Sequence, residues 1–489
     1  MEALQRLHNR GSISTGYDID NSVKLETANN EWLIRNSPTA GNRKTHTFSF
    51  WIKRTALGTI NASGSQGIIG QGQHGRMFFG SDYFQYRFDD GHDVRDITTL
   101  FRDTSAWYHI VVAVDTNQST SSNRVKIYYN GVQTTTLDHD GGSYPDIQDS
   151  ASGWFNTNNI AIGTLPFGAS YTAGDGDYDM SGYLADFAAV DGTQYAPTDF
   201  GEFDDDSGIW KPKDLSDITF GSEGFYLKFD DASALGADSS GNSNNFTLNN
   251  IAAADQATDT PTNNFCTLNP LNAINNGGGN NEYTEGATKG KALQESEIAS
   301  GTMAVAQGKW YYECKGVLNS EIMAGWGVPN KWGHHSSNPG YDNYSFAVHN
   351  IGRVYYAGNA YIDISPSVSF DTTDIISVAV DIDNGFAYWA KNGTWMGGGS
   401  PTSGSTGTGG FDFQSASAPG NLAIEDGDFL IPAVRTNYTT NGAILLNFGG
   451  YTTISISSAE SDGNGYGTFE YAPPSGYYSL CTKNLEEFG

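Results

Sequence analysis

The sequence predicts an all-β fold: two antiparallel β-sandwich (jelly-roll) domains in tandem behind a short N-terminal peptide. Three observations carry that expectation. At 489 residues, the chain exceeds the roughly 250 to 300 at which one hydrophobic core stops growing, so at least two cores are needed. Charged residues make up only 17% while aromatics reach 13%, with 60 glycines. Helix-forming Lys, Glu, Arg and Leu are therefore sparse, whereas Tyr, Phe, Trp, Thr and Val suit pleated, half-buried surfaces and Gly and Asn supply turns. Finally, strand-like runs recur about every 8 to 12 residues, the spacing of sandwiches.

Residues 1–15 are polar, with Leu4 and Leu7 as a weak helical hint; they read as an N-terminal attachment peptide. Residues 16–250 form the first block. In Thr47 to Lys53, Phe48, Phe50 and Ile52 alternate with polar residues and Trp51, which puts one set on a core face. Tyr108, Ile110, Val112 and Val114 repeat that pattern. Val125 to Tyr129, then Asn130-Gly131, then Val132 to Leu137 is a two-residue hairpin signal, because Asn-Gly tolerates positive φ at both turn positions. Residues 251–282, rich in Ala, Asn and Gly, read as a linker with too little apolar area to offset ordering entropy. The second block spans 283–450. There Ile376, Val378, Val380 and Ile382 alternate, and turns at Asn384-Gly385 and Asn392-Gly393 make a three-stranded meander. Residues 451–489 form a C-terminal extension that packs on the second domain, with a final strand at Tyr477 to Leu480.

The net charge of −29 repels nucleic-acid phosphates and anionic membranes, which excludes a nucleic-acid binder. Cys266, Cys314 and Cys481 are few, distant and odd in number, so neither a disulfide framework nor a cysteine zinc site is expected. The first residues lack the apolar run of a secretory signal, and no later stretch approaches the roughly 18 apolar residues of a membrane span. A soluble protein not exported by that route is the expectation, with no membrane insertion.

Several segments resemble known families. Gly16 to Ser22, Arg43 to Arg54 and Trp107 to Val111 look like a laminin-G-like, concanavalin A-like lectin domain, with Gly182 to Phe187 and Val190 to Thr193 resembling its closing strand. Gly308-Lys309-Trp310-Tyr311-Tyr312-Glu313, Ala324 to Val328 and Val378 to Trp395 resemble a SPRY domain. Leu235 to Asn242 with Thr260 to Phe265, and Phe469 to Leu485, are similar to virion proteins of marine tailed bacteriophages.

Sites are sought by the chemistry their spacing permits. Glucan hydrolases of jelly-roll fold place their acids as Glu-x-Asp-x-(x)-Glu on one strand; here the nearest run, Glu425-Asp426-Gly427-Asp428, has the wrong spacing and reads as a solvated turn. No nucleophile elbow or phosphate loop is present, and His334-His335 would point to opposite faces of a strand. Asp175, Asp177 and Asp179 alternate in a Gly-rich loop, the pattern of an oxygen-ligated Ca2+ site, against the plainer reading of a solvated acidic loop. Asp89, Asp90 and Asp93 form a similar group. The loop from Trp332 to Tyr344 mixes aromatic plates with amides and carboxylates, as sugar or peptide binding requires. Its candidate ligand-binding residues are Trp332, His335, Tyr341 and Tyr344, although Tyr341 and Tyr344 also suit the rim of the core. SPRY domains recognise partners through end loops, which the resemblance extends to this one. Trp310, Trp326, Trp389 and Trp395 are expected to pack in cores.

The resemblances imply a non-enzymatic structural protein on the exterior of a phage virion, made in the host cytoplasm. It would be a tail fibre or tail appendage holding other virion proteins through the N-terminal peptide and touching host surface glycan. The alternatives are a capsid-surface decoration or head fibre, and a glycan depolymerase whose acids come from separate strands. Phage fibres are commonly trimers; without coiled-coil heptads or β-helical repeats, any homo-oligomer must use domain surfaces or the N-terminal peptide.

Overall fold

The computed structural model describes all residues except 1–15, 58–63, 90, 97, 139–143, 167–177, 206, 273, 276–281, 292–295, 319–320, 330, 333–337, 359, 365–367, 415–421 and 438–441. The N-terminal peptide thus lies outside the described residues. Those described fall into two compact units, 16–262 and 263–489, both built from antiparallel sheets.

In the unit 16–262, one sheet orders Val132–Gln133, Val125–Tyr129, Tyr108–Asp115, Thr45–Arg54, Gly182–Asp191, Ser22–Leu25 and Gln256–Ala257, with Phe225–Leu227 also on Gly182–Asp191. A second eight-stranded sheet runs from Leu137–Asp138 to Thr247–Asn249. The predicted alternation holds: Phe48, Phe50, Ile52, Ile110, Val112 and Val114 enter the core, where Phe79, Phe84 and Tyr86 join them. Asn130 (φ 45°) and Gly131 (φ 79°) make the expected turn.

The run after that turn departs from expectation. Val132–Gln133 pairs with Val125–Tyr129, but Leu137–Asp138 pairs with Asp93–Asp96 in the other sheet. The chain changes sheets at Thr134 to Thr136, whose hydroxyls both donate to buried Asp96. Burial alone would raise the Asp96 pKa, but hydrogen bonds from Thr98, Thr99 and Thr134 outweigh it and hold it at about 2.

Residues 251–262, read from the sequence as linker, belong to this unit. Gln256–Ala257 adds an edge strand to the first sheet beside Ser22–Leu25, and Asp259 just beyond it meets the buried Lys53 amine at 2.7 Å and Trp107 Nε1 at 2.9 Å. Asp255 likewise meets the buried Lys24 amine at 2.8 Å; burying a charge is costly unless it is paired, so the two aspartates of this polar segment fold it down as a strap.

In the unit 263–489, a seven-stranded and a nine-stranded sheet enclose a core that includes Trp310, Tyr312, Trp326, Phe346 and Trp389. The meander forms as read: Ile376–Asp381, Phe386–Lys391 and Thr394–Trp395 pair in sequence, and Asn392 and Gly393 both take positive φ. Residues 451–489 lie in this unit. Their Tyr478–Ser479 runs parallel to Lys309–Val317, and a short helix, Thr482–Phe488, follows. Two buried carboxylates hold the segment: Glu313 accepts the N–H groups of Glu470 and Tyr471, and Asp462 accepts from Ser479 and Asn484. The three cysteines are buried and form no disulfide. No helix among the described residues is long and apolar enough to cross a membrane.

Candidate functional site

An open cleft of about 520 Å³ lies in the unit 16–262, within the roughly 300 to 1,000 Å³ of ligand sites. One wall is the end of the strand Trp32–Arg35 and the turn Asn36-Ser37-Pro38-Thr39; the other is the segment from Ser243 to Thr247, with Glu223 between them. Arg35 binds Glu223 by two routes: Nη2 donates to Oε2 at 2.7 Å and Nη1 to the backbone oxygen at 3.1 Å. Thr39 donates its hydroxyl to the other carboxylate oxygen. The second wall hangs on Asp238, which accepts the N–H groups of Tyr226, Ser240 and Asn244. Asn242 and Asn244 then donate to the carbonyls of Gly221, Ser222 and Gly224. The motif Leu235 to Asn242 therefore builds a fixed loop rich in Asn and Ser.

The exposed side chains of Asn36, Ser243 and Thr247 line this cleft and make no hydrogen bond to another described residue. They leave amide and hydroxyl groups to meet a polar ligand. Among the described residues Glu223 is the one carboxylate lining the cleft, and both its oxygens are engaged. Sequence reading missed Arg35, Glu223, Asn36 and Thr247, because they come together from segments about two hundred residues apart.

Sequence-derived site residues fall out differently. Asp175, Asp177 and His335 lie outside the described residues, and Asp179 is fully buried. Trp332 is 1% exposed: its ring packs so closely on Gly327 that a Cβ there would come within 2.9 Å. With Ala433 and Tyr344 it forms a small cluster, so it anchors its loop to the sheet and does not offer a plate to a ligand. Tyr341 instead joins an unforeseen row, with its ring 5.5 Å from Tyr355 and Tyr355 5.7 Å from Tyr361. The Arg353 guanidinium lies 4.1 Å over Tyr361 and donates to Asp363 at 2.8 Å. The signal was present in the alternation of Arg353-Val354-Tyr355-Tyr356, which sends Val354 and Tyr356 to the core and its neighbours outward.

Two other constellations look chemical. Asp89, His92 and Asp149 place ligand atoms within 4.8 Å of one another, with His92 Nδ1 2.9 Å from Asp89; they could hold a metal ion. Ser49 and buried His109 pair at 2.8 Å. That pair is not a nucleophile and base. Trp210 Nε1, which can only donate, reaches His109 Nδ1 at 2.9 Å, so in the neutral ring Nε2 carries the proton and donates to Ser49. Burial drives the His109 pKa down to about 3, and Trp51 and Trp210 stack on the ring.

The unit that holds the cleft is a sandwich of two antiparallel sheets. Residues 26–193 match the family model Laminin_G_3, described as the concanavalin A-like lectin/glucanases superfamily. Solved structures similar to part of the chain include the SPRY domain of human HERC1, with 16% identity over 37% of this chain and 96% of that one at a TM-score of 0.26. The TRIM65 PSpry domain shows 12% identity over 37% and 91% at 0.26. The stonustoxin structure shows 15% identity over 37% of this chain but 27% of its own length, at 0.25. No curated protein matches the sequence.

Proposed function

We propose that this chain is a non-catalytic glycan-recognition protein of a bacteriophage virion, a tail fibre or tail appendage that binds host surface saccharide. The observation that carries the binding role is the rigid polar cleft, with unengaged amide and hydroxyl groups at Asn36, Ser243 and Thr247. Its cation is already neutralised, since Arg35 is spent on Glu223, and the chain carries −29; both favour a neutral polyhydroxylated ligand over an acidic one. The likeness of Leu235 to Asn242 with Thr260 to Phe265, and of Phe469 to Leu485, to marine phage virion proteins supports the particle assignment, with the N-terminal peptide holding other virion proteins.

The full chain is expected to bind neutral glycans on an array. Asn36→Ala and Thr247→Ala each remove one ordinary hydrogen bond, about 0.5 to 1.5 kcal/mol, and so weaken binding by about 2- to 10-fold with an unchanged melting temperature. Retention no better than an unrelated acidic protein would remove the reading, and new reducing ends released from host polysaccharide would replace it with a depolymerase.

A further inference from the structure

Lys24 sits on the strand Ser22–Leu25 between Val23 and Leu25, which point into the core. Its own side chain therefore points to the opposite face. There its Nζ lies 2.8 Å from Asp255 Oδ1 and 2.9 Å from both oxygens of Glu31. The three side chains are 1%, 10% and 3% exposed. Each carboxylate is held in place: Asp255 Oδ2 accepts the Ala252 N–H at 2.8 Å, and Asn29 Nδ2 donates to Glu31 Oε1 at 2.8 Å.

One ammonium between two carboxylates, shut away from water, is an expensive arrangement. It is also the set of groups that amide formation requires: an amine, an electrophilic carboxyl, and a second carboxylate to carry protons. We propose that the unit closes itself with an intramolecular isopeptide bond between Lys24 Nζ and Asp255 Cγ, with Glu31 as the proton carrier.

The step balances without any co-reactant. The Lys24 ammonium passes a proton to Glu31 and becomes a neutral amine, whose lone pair attacks Asp255 Cγ. The Nζ–Cγ bond forms and one Cγ–O bond breaks. The departing oxygen leaves as water with two of the three ammonium hydrogens, one of them returned by Glu31. The positive and negative charges vanish into a neutral amide, and Glu31 ends as it began. Burial, opposed by Lys24, leaves the Glu31 carboxyl at about 7, where accepting and returning a proton are both easy near neutrality. The product replaces a buried ion pair by a neutral group that water cannot reach for hydrolysis.

The neighbouring pair supplies an internal reference. Lys53 and Asp259 are as close, at 2.7 Å, and as buried. There the second carboxylate oxygen is held by Trp107 Nε1, an indole donor that cannot ferry a proton. The cross-link proposed is the one at Lys24. It would tie the first strand of the unit to its last segment, enclosing nearly the whole unit in a covalent loop.

Intact-mass spectrometry of the denatured full chain tests this. The expected mass is lower than that of the sequence by one water, and a digest should yield one branched peptide joining Lys24 to Asp255. Lys24→Arg keeps the charge and should restore the full mass. Glu31→Gln, checked for folding by circular dichroism, should form the link about a hundredfold or more slowly. A folded wild-type chain at full sequence mass overturns the proposal, as does a water loss that maps elsewhere, such as a cyclic imide at an Asp-Gly step. Unslowed cross-linking in Glu31→Gln overturns the role given to Glu31.

Discussion

Asp186 interrupts the strand Gly182–Asp191 at a bulge between Ala185 and Ala188, and its φ is +43°. Its buried carboxylate accepts the Tyr226 hydroxyl at 2.7 Å, and Tyr17 in turn bonds Tyr226 at 2.9 Å. Burial raises its pKa from 3.8 to about 7, against the hydrogen bonds from Tyr226 and Tyr17. The sign of the linkage follows. Below about pH 4 the group is protonated in both states and its contribution is fully present. As pH rises toward 7 the unfolded chain ionises first, and up to about 4 kcal/mol is lost before the dependence levels off. Asn tolerates positive φ and can accept the same tyrosine bond, so Asp186→Asn should fold and lose this component. Urea midpoints measured from pH 4 to 8 should fall less steeply in the variant; identical slopes would show that the carboxyl does not titrate in this range.

At the scale of elements, what was legible was local. Asn130-Gly131 and Asn392-Gly393 announce their hairpins because both turn residues need positive φ, and the alternation in Thr47 to Lys53 announces its buried face. The sheet change at Thr134 was hidden because its anchor, Asp96, lies 38 residues away. The strap was hidden for a related reason: residues 251–262 carry little apolar area, and what folds them down are charges on strands far earlier in the chain. The cleft was not read from the sequence: Leu235 to Asn242 stood out only as a resemblance, and the Arg35–Glu223 clamp spans 188 residues. The strap makes its own prediction. Asp259→Ala leaves the Lys53 ammonium buried without its carboxylate and should cost about 3 to 5 kcal/mol. The double change Lys53→Met with Asp259→Leu removes both charges and should recover most of that loss. Denaturation of the four members of this double-mutant cycle measures it; a mild Asp259→Ala would mean that water reaches the lysine.

For the molecule as a whole, the second core is not finished where its long strands end: all but the short strand Tyr478–Ser479 are in place by Asn447, yet another forty residues follow. Those residues finish a core face. Phe469 and Tyr477, both fully buried, pack with Tyr311, Ala379 and Tyr388 on the sheet face opposite the main core. Glu313, on that face, takes two of its hydrogen bonds from the backbone of Glu470 and Tyr471. A chain ending at Gly450 would uncover the aromatic face, losing about 1.5 to 3 kcal/mol for each of the two aromatic side chains. It would also strip two donors from a buried carboxylate at about 1 to 3 kcal/mol each. The sum is comparable to the roughly 5 to 15 kcal/mol that holds a whole domain together. The truncated chain should therefore bind a hydrophobic dye and lose the part of the near-ultraviolet circular dichroism that comes from residues 263–450. A native-like spectrum and a cooperative transition for those residues would show instead that the sandwich stands without its last segment, and that the extension only covers it.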